Sequence, residues 1–299
     1  MKDIYALTPE KREEFSRHLM PCLKRPGGLS LRGGEGIYIE DLDGKRYMDF
    51  TSEQFVCLLG FGNAEVARAI YQQALNMPVV APLHQTDLRY RVYHKLASIA
   101  PRHLNRVAFT MGGGLAIESA MKIALKNVEG SRNFVTLYGG YHGTTFGTAD
   151  GTFLAGKGAA DAAVNEFFYR FATMAEHHVV RAERPYCYRC PYGKKSGECG
   201  LECAESLKRT ILYGVAGPAA GVILEPIQSG GGQIPFPKAY LQRVREICDE
   251  AGTLLIFDEI QTFARSGKFF AADYYGVEPD ILAFAKGIGR DTGWWYSSS

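Results

Sequence analysis

Residues 221–289 read GVILEPIQSGGGQIPFPKAYLQRVREICDEAGTLLIFDEIQTFARSGKFFAADYYGVEPDILAFAKGIG. Three short apolar runs in this stretch, Gly221–Ile227, Thr253–Phe257 and Ile281–Ala285, have the length and continuity of strands buried on both faces. Between the first two lies Lys238–Ala251, with apolar residues at 241, 244, 247 and 248, the spacing of an amphipathic helix. The same alternation extends upstream. Arg106–Thr110 and Asn133–Leu137 read as further strands, and Leu115–Asn127 between them reads as a helix. Buried strands alternating with amphipathic helices predict an α/β fold, a mostly parallel sheet flanked by helices on both faces. In such sheets ligands bind at the carboxyl ends of the strands.

The chemistry-bearing residues follow those strands. The run 253–257 leads into Asp258-Glu259-Ile260-Gln261, and 281–285 leads into Lys286-Gly287. A carboxylate and an ammonium carried to one edge by buried strands need a partner or a ligand, because charges are seldom buried unpaired. A structural ion pair would satisfy that need as well as a functional site would. The strand 106–110 leads into Met111-Gly112-Gly113-Gly114 and then directly into a helix. Bare amides at a helix start form a phosphate nest, although glycines there also serve a tight turn. The spacing lacks the third glycine of a dinucleotide fingerprint. Strand 133–137 ends in Tyr138-Gly139-Gly140-Tyr141-His142-Gly143, which brings an aromatic ring to another strand–helix junction.

Further out, residues 36–50, GIYIEDLDGKRYMDF, alternate apolar and polar residues around Asp43-Gly44, a β-hairpin signal. Ala64–Leu75 and Tyr90–Ile99 carry helical spacing, and Thr8-Pro9-Glu10 reads as a helix cap with Pro in the first turn. Lys and Arg total 34 against 32 Asp and Glu, a net charge of +2 that argues against a nucleic-acid footprint. With no apolar run of membrane-spanning length and a charged N-terminal stretch, the expectation is a cytoplasmic protein with no membrane partner. Its seven cysteines should then be reduced. Cys187, Cys190, Cys199 and Cys203 have metal-ligand spacing within RPYCYRCPYGKKSGECGLEC, so structural zinc or an iron–sulfur cluster is expected there, with unliganded thiols the alternative.

The stretch 221–289, with GIYIEDLDGKRYMDF and YGGYHGTTFGT upstream, resembles the class III aminotransferases, pyridoxal 5'-phosphate (PLP) enzymes of fold type I. The resemblance covers roughly residues 30–289. It implies that Lys286 forms the Schiff base with PLP and acts as general base on the substrate Cα proton. Asp258 would pair with the pyridine nitrogen, Gln261 would face the ring hydroxyl side, and Tyr141 would stack on the ring with His142 beside it. The amides of Gly113 and Gly114 would hold the phosphate. Glu225 matches a glutamate that pairs with a mobile arginine in several members, and a plain strand-end carboxylate before Pro226 is the alternative. The implied partners are a small-molecule amine, a 2-oxo acid and a second copy in a homodimer.

The chain departs from that family in its phosphate turn, Gly112-Gly113-Gly114-Leu115-Ala116-Ile117-Glu118, which lacks the usual hydroxyls. Members also continue well beyond the lysine, so the chain reads as truncated. On this reading residues 1–60 form a helix plus hairpin belonging to an incomplete small domain. Residues 61–299 form the large PLP-binding domain, with a Cys-rich insertion at about 184–204. The expected function is a PLP-dependent transaminase. The alternatives are an ammonia- or phospho-lyase of the same family, or an inactive fragment.

Overall fold

The computed structural model describes residues 7–19, 29–81, 83–101, 103–153 and 178–288. Helix α1, Pro9–Ser16, is capped by the Thr8 side chain, with Pro in the first turn as its sequence predicts. Strands β1 (Leu31–Glu35), β2 (Tyr38–Asp41) and β3 (Arg46–Met48) form an antiparallel sheet in that order. Asp41 ties the turn between β2 and β3 by accepting from the amides of Asp43 and Lys45 and from the Tyr47 hydroxyl. Helices α2 (Ala64–Asn76) and α3 (Asp87–Ile99) begin at Asn63 and Thr86, whose side chains accept first-turn amides.

The centre is a five-stranded sheet, parallel throughout. Its strands are β4 (Asn133–Leu137), β5 (His178–Ala182), β6 (Ala219–Leu224), β7 (Leu254–Glu259) and β8 (Ile281–Phe284), in the order β8-β7-β6-β4-β5. β4, β6 and β8 are buried along their whole length, which is why β6 and β8 read as unbroken apolar runs and β4 is apolar apart from Asn133 and Thr136. Alternate residues supply two cores. On one face helix α4 (Gly113–Asn127) sets Ile117, Ala120 and Met121 against Phe134, Ile223, Ile256 and Ala283. On the other, α5 (Glu202–Tyr213) and α6 (Lys238–Ala251) set Leu207, Leu241 and Val244 against Val135, Leu224, Phe257 and Phe284. Each large apolar side chain fully buried this way contributes about 1.5–3 kcal/mol.

Two strand expectations change. Arg106–Thr110 is not a strand, because among the described residues no strand offers it a ladder partner. Its Val107 and Phe109 nevertheless pack on the core. The run Gly221–Ile227 breaks at Pro226, which has no amide to donate. β6 therefore ends at Leu224, and Ile227–Gln228 pairs instead with Ile234–Pro235 in a separate antiparallel ribbon.

Candidate active site

Register decides which strand ends meet. Ala283 pairs with Asp258 and Leu224 with Phe257, so Glu225, Asp258 and Lys286 leave three adjacent strands at the same edge. A cavity of about 300 Å³ opens there, lined by Gly113, Gly114, Tyr141, His142, Asp258, Gln261 and Lys286. Those are the residues singled out for the cofactor in the sequence. Val56, Thr144 and Thr145 line it as well. Thr144 and Thr145 follow Tyr141-His142-Gly143 directly, so their position in the chain was a usable signal. Val56 comes from a distant segment whose local sequence carries none.

Asp258 is 2% exposed, and His142, at 1%, sits behind it with Nδ1 2.8 Å from the carboxylate Oδ2. Because the carboxylate only accepts, Nδ1 is the donor. The other oxygen, Oδ1, accepts the Ile260 amide at 3.1 Å. His142 Nε2 is buried with no partner among the described residues. The His142 amide donates to Thr152 Oγ1, which holds the ring's own backbone in place.

Lys286 is half-buried at φ 52°, a left-handed conformation unusual for a side-chain-bearing residue. Its Nζ donates to the Gln54 carbonyl at 3.0 Å and lies 5.9 Å from the centre of the Phe55 ring. Burial lowers the pKa of this amine; Arg265 also lowers it, while Asp258 and Glu225 act the other way.

Glu225 is buried but does not line the cavity. Its Oε1 accepts the Tyr141 amide at 2.9 Å and its Oε2 accepts the Ser229 amide at 3.0 Å. Burial first, and then the charge of Asp258, raise its pKa. Each oxygen therefore accepts one backbone amide, and the carboxylate anchors the Tyr141 backbone. The Tyr141 phenol is itself raised, by burial and then by Asp258 and Glu225.

Helix α4 starts at Gly112 with no side-chain cap, which leaves its first-turn amides bare at the cavity wall. Close approach there requires glycine. A Cβ on Gly143 would meet Gly114 Cα at 2.7 Å, and one on Gly113 would meet Ile260 Cδ1 at 2.9 Å. Glu118 fastens the two segments by accepting from the Thr145 hydroxyl at 2.5 Å and the Gly147 amide at 2.9 Å. A buried carboxylate, a primary amine, an aromatic ring and an uncapped helix N-terminus fit a phosphorylated pyridine aldehyde.

The cysteine expectation fails. Cys187, Cys190, Cys199 and Cys203 are free thiols, and among the described residues no group of three or more His, Cys, Asp or Glu could hold a metal ion. Cys203 stands in the first turn of α5 and packs on the core instead. Burial, reinforced by Cys187 and Cys199, pushes its thiol up to about 11.

Residues 25–293 match the family model described as aminotransferase class-III. The chain is 35% identical over 265 residues to an adenosylmethionine-8-amino-7-oxononanoate aminotransferase of Geobacter sulfurreducens, covering 85% of this chain and 56% of the relative. It is 36% identical over 279 residues to an acetylornithine aminotransferase of Methanosarcina acetivorans, covering 93% and 62%. In structure it resembles taurine:2-oxoglutarate aminotransferase from Bifidobacterium kashiwanohense, solved in complex with PLP and glutamate. That match has a TM-score of 0.84 at 28% identity and covers 98% of this chain and 65% of that one. The chain thus spans less than two thirds of the length of each of these relatives. With the match to the family model running through nearly all of its residues, the chain belongs to the class III aminotransferase family.

Proposed function

We propose that this chain is the cofactor-binding part of a PLP-dependent transaminase that moves an amino group between an amine or amino acid and a 2-oxo acid. One observation carries the reading: an amine, a buried carboxylate and an uncapped helix start line a single cavity at the carboxyl edge of the sheet. When bound, PLP supplies an electron sink for negative charge developing at the substrate Cα. Lys286 holds the cofactor and carries the Cα proton. Its lowered pKa raises the fraction of neutral amine for both tasks. Asp258, steadied by His142, faces the ring nitrogen and favours its protonated form. Tyr141, anchored by Glu225, covers one face of the ring. The amides of Gly113 and Gly114 hold the phosphate, and Gln261 faces the ring hydroxyl.

In this reading residues 61–299 form the large domain and residues 1–60 part of a smaller one. A homodimer fits the apolar Ile70, Tyr71 and Leu75, all exposed along α2. A cytoplasmic location fits Cys187, Cys190, Cys199, Cys203 and Cys248, which form no disulfide among the described residues. The test is an absorbance spectrum of the chain with added PLP, followed by borohydride reduction and peptide mapping. A visible band, bleached by borohydride with label retained on Lys286 and absent in Lys286→Ala, is expected. Label on another lysine, or none, refutes the assignment. An amine donor alone should then bleach the band by aminating the cofactor, and 2-oxoglutarate should restore it, whereas ammonia release without an oxo acid would identify a lyase.

A further inference from the structure

Ser229 is 7% exposed and lies in the ribbon that follows Pro226, where its carbonyl accepts the amides of Gly232 and Gln233. Gln233 adopts a left-handed φ of 57°, and its side-chain Nε2 donates to Ser229 Oγ at 2.9 Å. An amide nitrogen can only donate, so the Ser229 hydroxyl receives that bond and has its own proton to give. It gives it to Gln261 Oε1. The Ser229 backbone amide meanwhile donates to Glu225 Oε2 at 3.0 Å. One residue therefore fastens both the carboxylate that anchors Tyr141 and the side chain of Gln261.

This direction of donation sets the polarity of Gln261. A glutamine side chain carries a carbonyl and an NH2 of nearly the same shape, so hydrogen bonds rather than fit decide which way it points. A second cavity, of about 250 Å³, is bordered by Ser229, Gln233, Arg265 and Ser266, and it shares Gln261 with the first. The Gln261 carbonyl is claimed on the Ser229 side, which leaves the NH2 for the cavity that holds Asp258 and Lys286. An NH2 facing the ring hydroxyl of PLP draws negative charge from that oxygen, whereas a carbonyl there would repel it. Charge drawn from the oxygen weakens the hold of the loaded site on the proton it carries beside Lys286 Nζ.

We propose that Ser229 is a positioning residue: its hydroxyl, oriented by Gln233, holds the Gln261 amide with its NH2 turned to the cofactor cavity. The cofactor role of Gln261 rests on the transaminase reading above, but the bond between Ser229 and Gln261 does not.

Two measurements on the 299-residue chain test it. Without cofactor, carbon NMR of the chain labelled at its glutamine side-chain carbonyls reads the hydroxyl bond directly, with Gln261 assigned by the signal lost in Gln261→Leu. That signal should move upfield in Ser229→Ala, which keeps the backbone bond to Glu225. With PLP, the pH midpoint of the visible band should rise in Ser229→Ala by about one unit, the scale of one hydrogen bond to a charged oxygen. In a Gln261→Leu background Ser229→Ala should add nothing, because the hydroxyl acts through that side chain. Asp258 and Lys286 in the cavity, Tyr141 with Glu225 behind it, His142 behind Asp258 and Arg265 beside Ser266 are the titratable and charged groups around this edge, and every variant keeps them. An unchanged Gln261 carbon signal, a midpoint that stays or falls, or an equal Ser229→Ala shift without Gln261 would each overturn the proposal. Circular dichroism checks folding, and if Ser229→Ala is unfolded, Ser229→Cys, whose thiol is a weak donor, is read by the same criteria. Failure of the transaminase reading looks different: no visible band forms and borohydride leaves Lys286 unlabelled, while the carbon signal still decides whether Ser229 holds Gln261.

Discussion

Replacing Glu225 with Gln separates an anchoring carboxylate from one that waits for a cationic partner. Both Glu225 oxygens accept backbone amides, from Tyr141 at 2.9 Å and Ser229 at 3.0 Å. Gln offers one acceptor and one NH2, so one buried amide loses its acceptor and faces a donor, at a cost of about 1–3 kcal/mol. The charge of Glu225 works in the opposite direction. Burial and Asp258 raise its folded pKa above the ordinary 4.5, so the folded state keeps a proton that the unfolded chain releases. The resulting stabilisation is complete below about pH 4.5 and is lost as pH rises through the raised folded value. At pH 6 Gln therefore relieves little charge, and the hydrogen-bond loss shows almost in full. At pH 8 Gln removes a disfavoured carboxylate, and the penalty shrinks. For a chain of this size the pH 6 deficit corresponds to a Tm lower by several degrees. Thermal melts of the wild type and Glu225→Gln at pH 6 and 8, followed by circular dichroism, read it out. Equal Tm at pH 6, or a deficit that grows toward pH 8, would refute the reasoning.

Two further predictions concern the same edge. Glu259 accepts from the Thr262 hydroxyl and the Ala271 and Ala272 amides while burial pushes it up to about 7, so its contribution to stability should fall between pH 5 and pH 8 by up to about 3 kcal/mol. Urea unfolding should show that slope reduced in Glu259→Gln, and an unchanged slope would count against the assignment. Gly143→Ala places a Cβ 2.7 Å from Gly114 Cα at a φ of +118°, so it should push the loop off the start of α4. PLP affinity, measured by fluorescence quenching, should drop at least tenfold, and wild-type affinity would show that the two backbones need not approach so closely.

The parallel core was legible because its strands are buried on both faces and are therefore mostly apolar. Asn133–Leu137 was readable to the residue for that reason, and Lys238–Ala251 from the helical spacing of its apolar residues. Arg106–Thr110 has the composition of a strand, but composition does not supply the neighbour that a ladder requires. The spacing of the four cysteines suggested a metal, yet Cys203 is claimed by the core under α5. The segment around Gln54 and Phe55 was illegible altogether. It reaches Lys286 and Arg265 across 232 and 210 residues, and its residues 52–55 all adopt positive φ that no glycine announces.

What the register adds is a division of labour that the sequence alone left open. Glu225, Asp258 and Lys286 end adjacent strands, and a cluster of two acids and one amine could have been a closed ion-pair network. The geometry rules that out. Glu225 is satisfied by two amides, Lys286 by the Gln54 carbonyl, and Asp258 by His142 and one amide, so none of the three is bonded to another. Asp258 and Lys286, which both line the cavity and are held apart by backbone and histidine, are left facing the space between them. A structural salt bridge gains nothing from such spacing, whereas a ligand carrying a carbonyl for the amine and a basic ring nitrogen for the acid does. The separation, more than the presence of any single residue, is what suits this edge to such a ligand.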